Sequence, residues 1–149
     1  MMARELPFAI ASMATADIGV PHARHVLVAD PDQQRLDTYA IVLQKAGYDV
    51  IGVVDPAAAL AETARLQPDL VLVRLGEPRS DGLAFCQRMR AGAETRDTPV
   101  IVLTRQDDAY VREQVVRAGG TAILTEPLKH TLLLRQVRRL LARVRPRGG

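Results

Sequence analysis

Five short runs of Val, Ile and Leu, separated by stretches of helical length, constrain this chain more than any other feature. The runs are His25–Ala29, Asp49–Val54, Asp69–Val73, Pro99–Thr104 and Thr121–Thr125. They are nearly continuous in apolar character rather than alternating, the pattern of strands buried on both faces. Helix candidates follow them at Asp32–Ala46, Pro56–Leu66, Leu83–Ala91, Asp107–Ala118 and Leu128–Val144. Asp30-Pro31 reads as an N-cap plus first helical residue, and Asp55-Pro56 repeats it. Gly47 and Gly119 stand where helices end. Five strands alternating with five helices predict an α/β fold, a single doubly wound parallel sheet covered on both faces.

A chain of 149 residues with 48% apolar and 25% charged residues can bury a real core without metal or disulfide staples. The single cysteine, Cys86, cannot form an internal bridge, which fits a reducing, cytoplasmic compartment. Cys86 lies beside Phe85 in an apolar stretch and reads as a small buried hydrophobe. No run reaches the roughly 18 apolar residues of a membrane helix. Residues 1–24 show no period and are expected to be a flexible leader. Leu6–Ala14 has the apolar core of a signal peptide, but Glu5 and Pro7 break that pattern. Residues 25–144 form the expected domain, and 145–149 an expected disordered tail, which leaves no room within these residues for an output domain.

In such a sheet, chemistry sits outside the carboxyl ends of the strands, near the switch in strand order. The positions to weigh are therefore Asp30 and Asp32 after the first run and Arg74 to Gly82 after the third. Thr104-Arg105 after the fourth and Glu126-Pro127 after the fifth complete the set. No Gly-rich loop follows the first run, because Asp30-Pro31-Asp32 occupies that turn, so a dinucleotide or P-loop site is not expected. His22, His25 and His130 are scattered without metal-ligand spacing, and no nucleophile elbow is present. The reading is a protein that is not an enzyme, with no cofactor and no metal, Asp30 and Asp32 being only weak metal candidates.

With these positions identified, residues 25–144 resemble a bacterial response-regulator receiver domain of the flavodoxin-like, CheY-like architecture. The resemblance rests on Val26-Leu-Val-Ala-Asp30, Ala46-Gly-Tyr48, Pro68-Asp-Leu-Val-Leu-Val73, Pro78, and Asp81-Gly82. Thr98-Pro-Val-Ile-Val-Leu-Thr104, Ala118-Gly119 and Glu126-Pro127 continue it. It implies an acid pair after the first strand that helps hold Mg²⁺ and a phosphoacceptor Asp at the end of the third. It further implies a Thr and a Lys that bind the phosphoryl oxygens, and an aromatic switch residue in the fifth strand.

The sequence departs from that pattern at nearly every step. The acceptor position, four residues before Pro78 and seven before Asp81, holds Arg74. A guanidinium has donors only and cannot attack phosphorus. The Lys position, just before Pro127, holds Glu126, and the switch aromatic falls on Ile123. Counted back from Gly47, the acid pair is Asp30 and Pro31; counted back from Arg35, it is Ala29 and Asp30. Either way one acid is lost, with Asp32 a partial replacement. Thr104 alone matches. Asp30, Asp32, Arg74 and Glu126 nevertheless carry the same net charge as three Asp and one Lys. Arg74 is therefore expected to bridge Asp30 or Asp32 on one side and Glu126 on the other. The competing reading lets Arg74 extend to solvent.

The resemblance thus implies a pseudo-receiver in two-component, phosphorelay-type signalling. It would not be phosphorylated and would act as a protein–protein interaction module for a kinase, regulator or scaffold. Net charge is +3, yet the last stretch carries Lys129, Arg135, Arg138, Arg139, Arg143, Arg145 and Arg147 without one acid. Its apolar positions, Leu132 to Leu134, Val137, Leu140, Leu141 and Val144, are expected to dock on the sheet. Arg135, Arg138, Arg139 and Arg143 then face outward as an interaction face, with a homodimer through the last two helices as one use of it. The alternative is a nucleic-acid-associated regulator using this Arg-rich helix, but no groove-reading motif accompanies the charge.

Overall fold

A computed structural model describes residues 4–5 and 24–144. The elements in chain order are β1 (Arg4–Glu5), β2 (His25–Ala29), α1 (Gln33–Lys45), β3 (Asp49–Val53), α2 (Pro56–Leu66) and β4 (Leu70–Arg74). They continue with α3 (Arg79–Ala91), β5 (Val100–Thr104), α4 (Ala109–Ala118), β6 (Ala122–Thr125) and α5 (His130–Leu141). The sheet order is β1-β3-β2-β4-β5-β6. β2 to β6 are mutually parallel, while β1 pairs antiparallel with the outer edge of β3. The expected doubly wound five-stranded parallel sheet with five helices is therefore present. Within the stretch read as a leader, Arg4–Glu5 pairs with β3. Residues 1–3, 6–23 and the expected tail at 145–149 lie outside the described residues.

The apolar runs form strands because alternate side chains enter two different cores. Val26, Val28, Leu70, Leu72, Ile101 and Leu103 pack with α1 and α5 on one face. Leu27, Ala29, Val71, Val73, Val100 and Val102 pack with α2, α3 and α4 on the other. β4 and β5, in the middle, are buried at every position. That two-sided burial explains why the runs lack a period of two. From β2 the chain builds outward to β3, then crosses back to β4 on the far side. The switch point thus falls between β2 and β4, where Ala29 pairs with Val73 and the next residues are Asp30 and Arg74.

Helix ends follow local chemistry, with three corrections. The cap of α1 is Asp32, whose side chain accepts from the Arg35 amide. The expected cap, Asp30, lies two residues earlier and instead accepts from the Asp32 amide. Helix α3 begins at Arg79 rather than Leu83. Its Gly82, which the sequence reading leaves in the loop, is buried in the first turn, and a Cβ there would stand 2.9 Å from the movable Leu75 Cδ1. Helix α5 ends at Leu141, and Leu132 is 36% exposed rather than part of the docked face. Gly47 and Gly119 do adopt the left-handed conformation, at φ +100° and +101°.

Candidate functional site

The carboxyl ends of β2, β4, β5 and β6 bring Asp30, Arg74, Thr104 and Glu126 to one edge of the sheet. Arg74 is the last residue of β4, and its side chain is 7% exposed. A guanidinium so withdrawn from water needs partners on every side. Its Nη1 donates to the carbonyl of Leu75 at 2.9 Å and, more weakly, to that of Leu103 at 3.4 Å. Its Nε stands 3.0 Å from Glu126 Oε1, with the Glu126 side chain 12% exposed. The Nε–H is not aimed along that line, so the contact is a close ion pair rather than an aligned hydrogen bond. Glu126 also accepts a hydrogen bond from the Tyr39 hydroxyl of α1 through Oε2. Burial first, and then that donated bond, push the Tyr39 phenol well above its ordinary range.

Asp30 is held by a different cation. Its side chain is 1% exposed, and Arg35 grips it with two bonds, Nε to Oδ2 at 2.6 Å and Nη2 to Oδ1 at 2.8 Å. Asp30 raises the Arg35 guanidinium pKa further, mainly through these bonds. Arg35 Nη1 also lies 3.7 Å from Asp32, which is half exposed. The expected bridge is therefore corrected on one side. Arg74 pairs with Glu126 but with neither Asp30 nor Asp32 among the described residues, because Arg35 takes Asp30 first. The solvent-extended reading of Arg74 does not fit its burial.

Sequence reasoning missed Arg35 and Tyr39. They are four residues apart on one face of α1, so a single helix supplies partners to both carboxylates. The available signal was an arginine five residues past a buried-strand Asp, with a tyrosine one turn further.

Thr104 is buried, and its hydroxyl is consumed locally. Oγ1 donates to the Gln106 carbonyl at 3.0 Å and accepts from the Gln106 amide at 3.1 Å. Ile123 sits in β6, partly buried against the core shared with α2, α3 and α4. Beside it, Thr125 donates to Asp107 at 2.6 Å, and Asp107 is gripped twice by Arg112. The bonds from Arg112 and then Thr125 hold the Asp107 carboxyl below its ordinary value. The Glu126-Pro127 peptide is cis. Among the described residues, no group of three or more His, Cys, Asp or Glu is arranged to hold a metal ion.

Arg135, Arg138 and Arg139 of α5, and Arg143 just past its end, are all exposed, whereas Leu133, Val137, Leu140 and Leu141 are buried. On the neighbouring α4, Tyr110 and Val116 are exposed at 62% and 69%. No helix among the described residues is long and apolar enough to cross a membrane.

Comparison with known proteins adds the following. The family model described as response regulator receiver domain matches residues 26–138. The curated protein RpaA of Synechocystis sp., a DNA-binding dual master transcriptional regulator, is 37% identical over 118 residues. That match covers 79% of this chain but only 49% of RpaA, so the chain spans about half of that relative's length. Among solved structures, the chemotaxis protein CheY4 of Vibrio cholerae shares the fold at a TM-score of 0.75 and 24% identity, covering 79% of this chain and 98% of that one. The receiver domain of sensor histidine kinase PA1611 from Pseudomonas aeruginosa was solved with magnesium coordinated in its active-site cleft. It superposes at a TM-score of 0.74 and 26% identity, covering 80% of this chain and 98% of that one.

Proposed function

The chain belongs to the response-regulator receiver domain family, and from that premise we propose that its phosphorylation site has become a fixed ion-pair network. Receiver domains are signalling modules of two-component systems, and they interact with kinases and other proteins. Within that role, our reading is a pseudo-receiver that communicates by binding a partner in its unmodified state.

The observation that carries this reading is the Arg74–Glu126 ion pair, in which we read Arg74 as standing at the acceptor position and Glu126 where a lysine would be expected. Arg74 offers no nucleophile, and Glu126 would repel an incoming phosphoryl group. The Mg²⁺ that the family implies also finds a poor fit. Both oxygens of Asp30 are already engaged by Arg35, which supplies from the chain itself the positive charge a metal would bring. Thr104, the one matching residue, spends its hydroxyl on Gln106.

The partner surface we favour is the exposed arginine face of α5, which suits an acidic protein surface. The DNA-binding in RpaA's name is not carried over, because the match stops at about half of that protein. Incubation with acetyl phosphate and Mg²⁺, read by intact mass, tests the reading. The account expects no added phosphoryl mass, and stoichiometric labelling would overturn it. Binding to duplex DNA that falls steeply with salt would favour the nucleic-acid alternative for α5.

A further inference from the structure

Beside the ion-pair network lies a cleft of about 310 Å³ between the ends of β2, β3 and β4 and the starts of α2 and α3. Its size falls at the small end of ordinary ligand pockets, roughly 300–1,000 Å³. The lining is largely apolar: Val53, Ala59, Val73 and Phe85 lie beneath it at only 0–5% exposure, and the more open Pro31, Val54, Pro56 and Pro78 present its accessible apolar surface. Space remains there because the charged end of Arg74 is drawn away towards β6 and because residues 29 and 59 are alanines.

The polar groups on the wall are unequal. Asp30 is committed to Arg35, and Arg74 to Glu126. Glu77 and Asp81 are exposed, and neither carboxylate has a hydrogen bond or ion pair among the described residues. Asp81 also lines a second hollow of about 380 Å³ between α2 and α3, which shares Pro56 and Phe85 with the first. Arg88 borders only that second hollow. The first cleft therefore offers a largely apolar lining and two free carboxylates at its rim.

We infer that this cleft binds a small organic cation, a compact apolar body carrying one protonated amine, with the body against Val54, Pro56 and Pro78 and the amine at Asp81. The inference stands on the cleft alone and goes beyond the proposed function, since neither the arginine face nor the loss of phosphorylation requires it. Amide NMR titration of the full chain with three probes that share a phenethyl body tests it: 2-phenylethylamine, 2-phenylethanol and 3-phenylpropionate. We expect saturable shifts at Val53, Val73, Gly82 and Phe85 with the amine, with a dissociation constant on the order of 1 mM for so small a molecule. The alcohol should bind about threefold more weakly, the ratio expected of one exposed charge pair, and the carboxylate least of all. Asp81→Asn, an exposed change, should abolish the amine's advantage and keep the alcohol's shifts. Gly76→Leu should weaken all three, and an added Cβ there meets nothing within 4 Å. The inference is overturned if no probe saturates, if the amine has no advantage over the alcohol or the carboxylate, or if Asp81→Asn leaves that advantage intact. These outcomes are independent of whether the protein accepts a phosphoryl group.

Discussion

Arg74 and Glu126 form a close ion pair, 3.0 Å apart, across the end of a strand to which neither belongs. Arg74 closes β4, Glu126 follows β6, and β5 lies between them, contributing the Leu103 carbonyl to the same guanidinium. One side chain thus ties three strand ends together. Tyr39 ties Glu126 to α1, and the same helix holds Asp30 through Arg35 in a separate pair.

Removing Arg74 should therefore cost more than a surface ion pair would. Arg74→Ala leaves the partly buried Glu126 carboxylate with Tyr39 as its side-chain partner among the described residues, and the expected loss is about 3 kcal/mol. Urea denaturation measures it, and a loss near zero would contradict the buried-pair account. Arg74→Asp restores the acceptor side chain but places it near Glu126. It should be less stable still and remain unlabelled by acetyl phosphate.

Tyr39 gives the network a pH signature. Because burial and Glu126 raise its pKa above 10.0, the folded state keeps its proton where the unfolded chain loses it. Its contribution to stability is then complete below about pH 10 and declines as the pH rises beyond that value. Stability curves from pH 8 to 11 should fall more steeply for the wild type than for Tyr39→Phe, and equal slopes would count against the bond to Glu126.

Asp107 behaves oppositely. Its carboxyl sits below the ordinary 3.8 because Arg112 and Thr125 stabilise the charged form. The contribution is present above pH 3.8 and is lost as the pH falls through the lower folded value. Carboxyl-carbon NMR should place its midpoint under 3.8, and Arg112→Ala should bring it back up.

Much of this was legible in the sequence, for identifiable reasons. Two-sided burial made the strands continuous in apolar character, and Gly47 and Gly119 marked helix ends that need a left-handed residue. The positions of Arg74 and Glu126 came from spacing to Pro78 and Pro127, and their pairing from opposite charge. What was not legible depended on competition. Asp30 had two possible cations, and only the geometry of α1 decides for Arg35, whose guanidinium reaches back five residues. The start of α3 was hidden by Gly82, a weak helix former that the helix nonetheless contains. Arg90 was likewise invisible as a staple. It donates to the carbonyls of Gly119, Arg96 and Thr98 and to the Thr121 hydroxyl, contacts set only once the loops have folded together.

That staple gives a control remote from the strand ends. Arg90→Ala leaves several carbonyls without their donor and should cost about 2–3 kcal/mol. In thermal melts it should match Arg74→Ala in severity, while leaving the Tyr39 pH signature unchanged.

The central claim is that ion pairs internal to the chain have replaced the metal and phosphoryl chemistry of the receiver site. An amide NMR titration with Mg²⁺, followed by beryllofluoride as a phosphoryl mimic, tests it most directly. The account predicts that the resonances of Asp30, Arg74, Thr104 and Glu126 stay where they are through both additions. Saturable shifts at those four residues would contradict it and return phosphorylation-dependent switching to this protein.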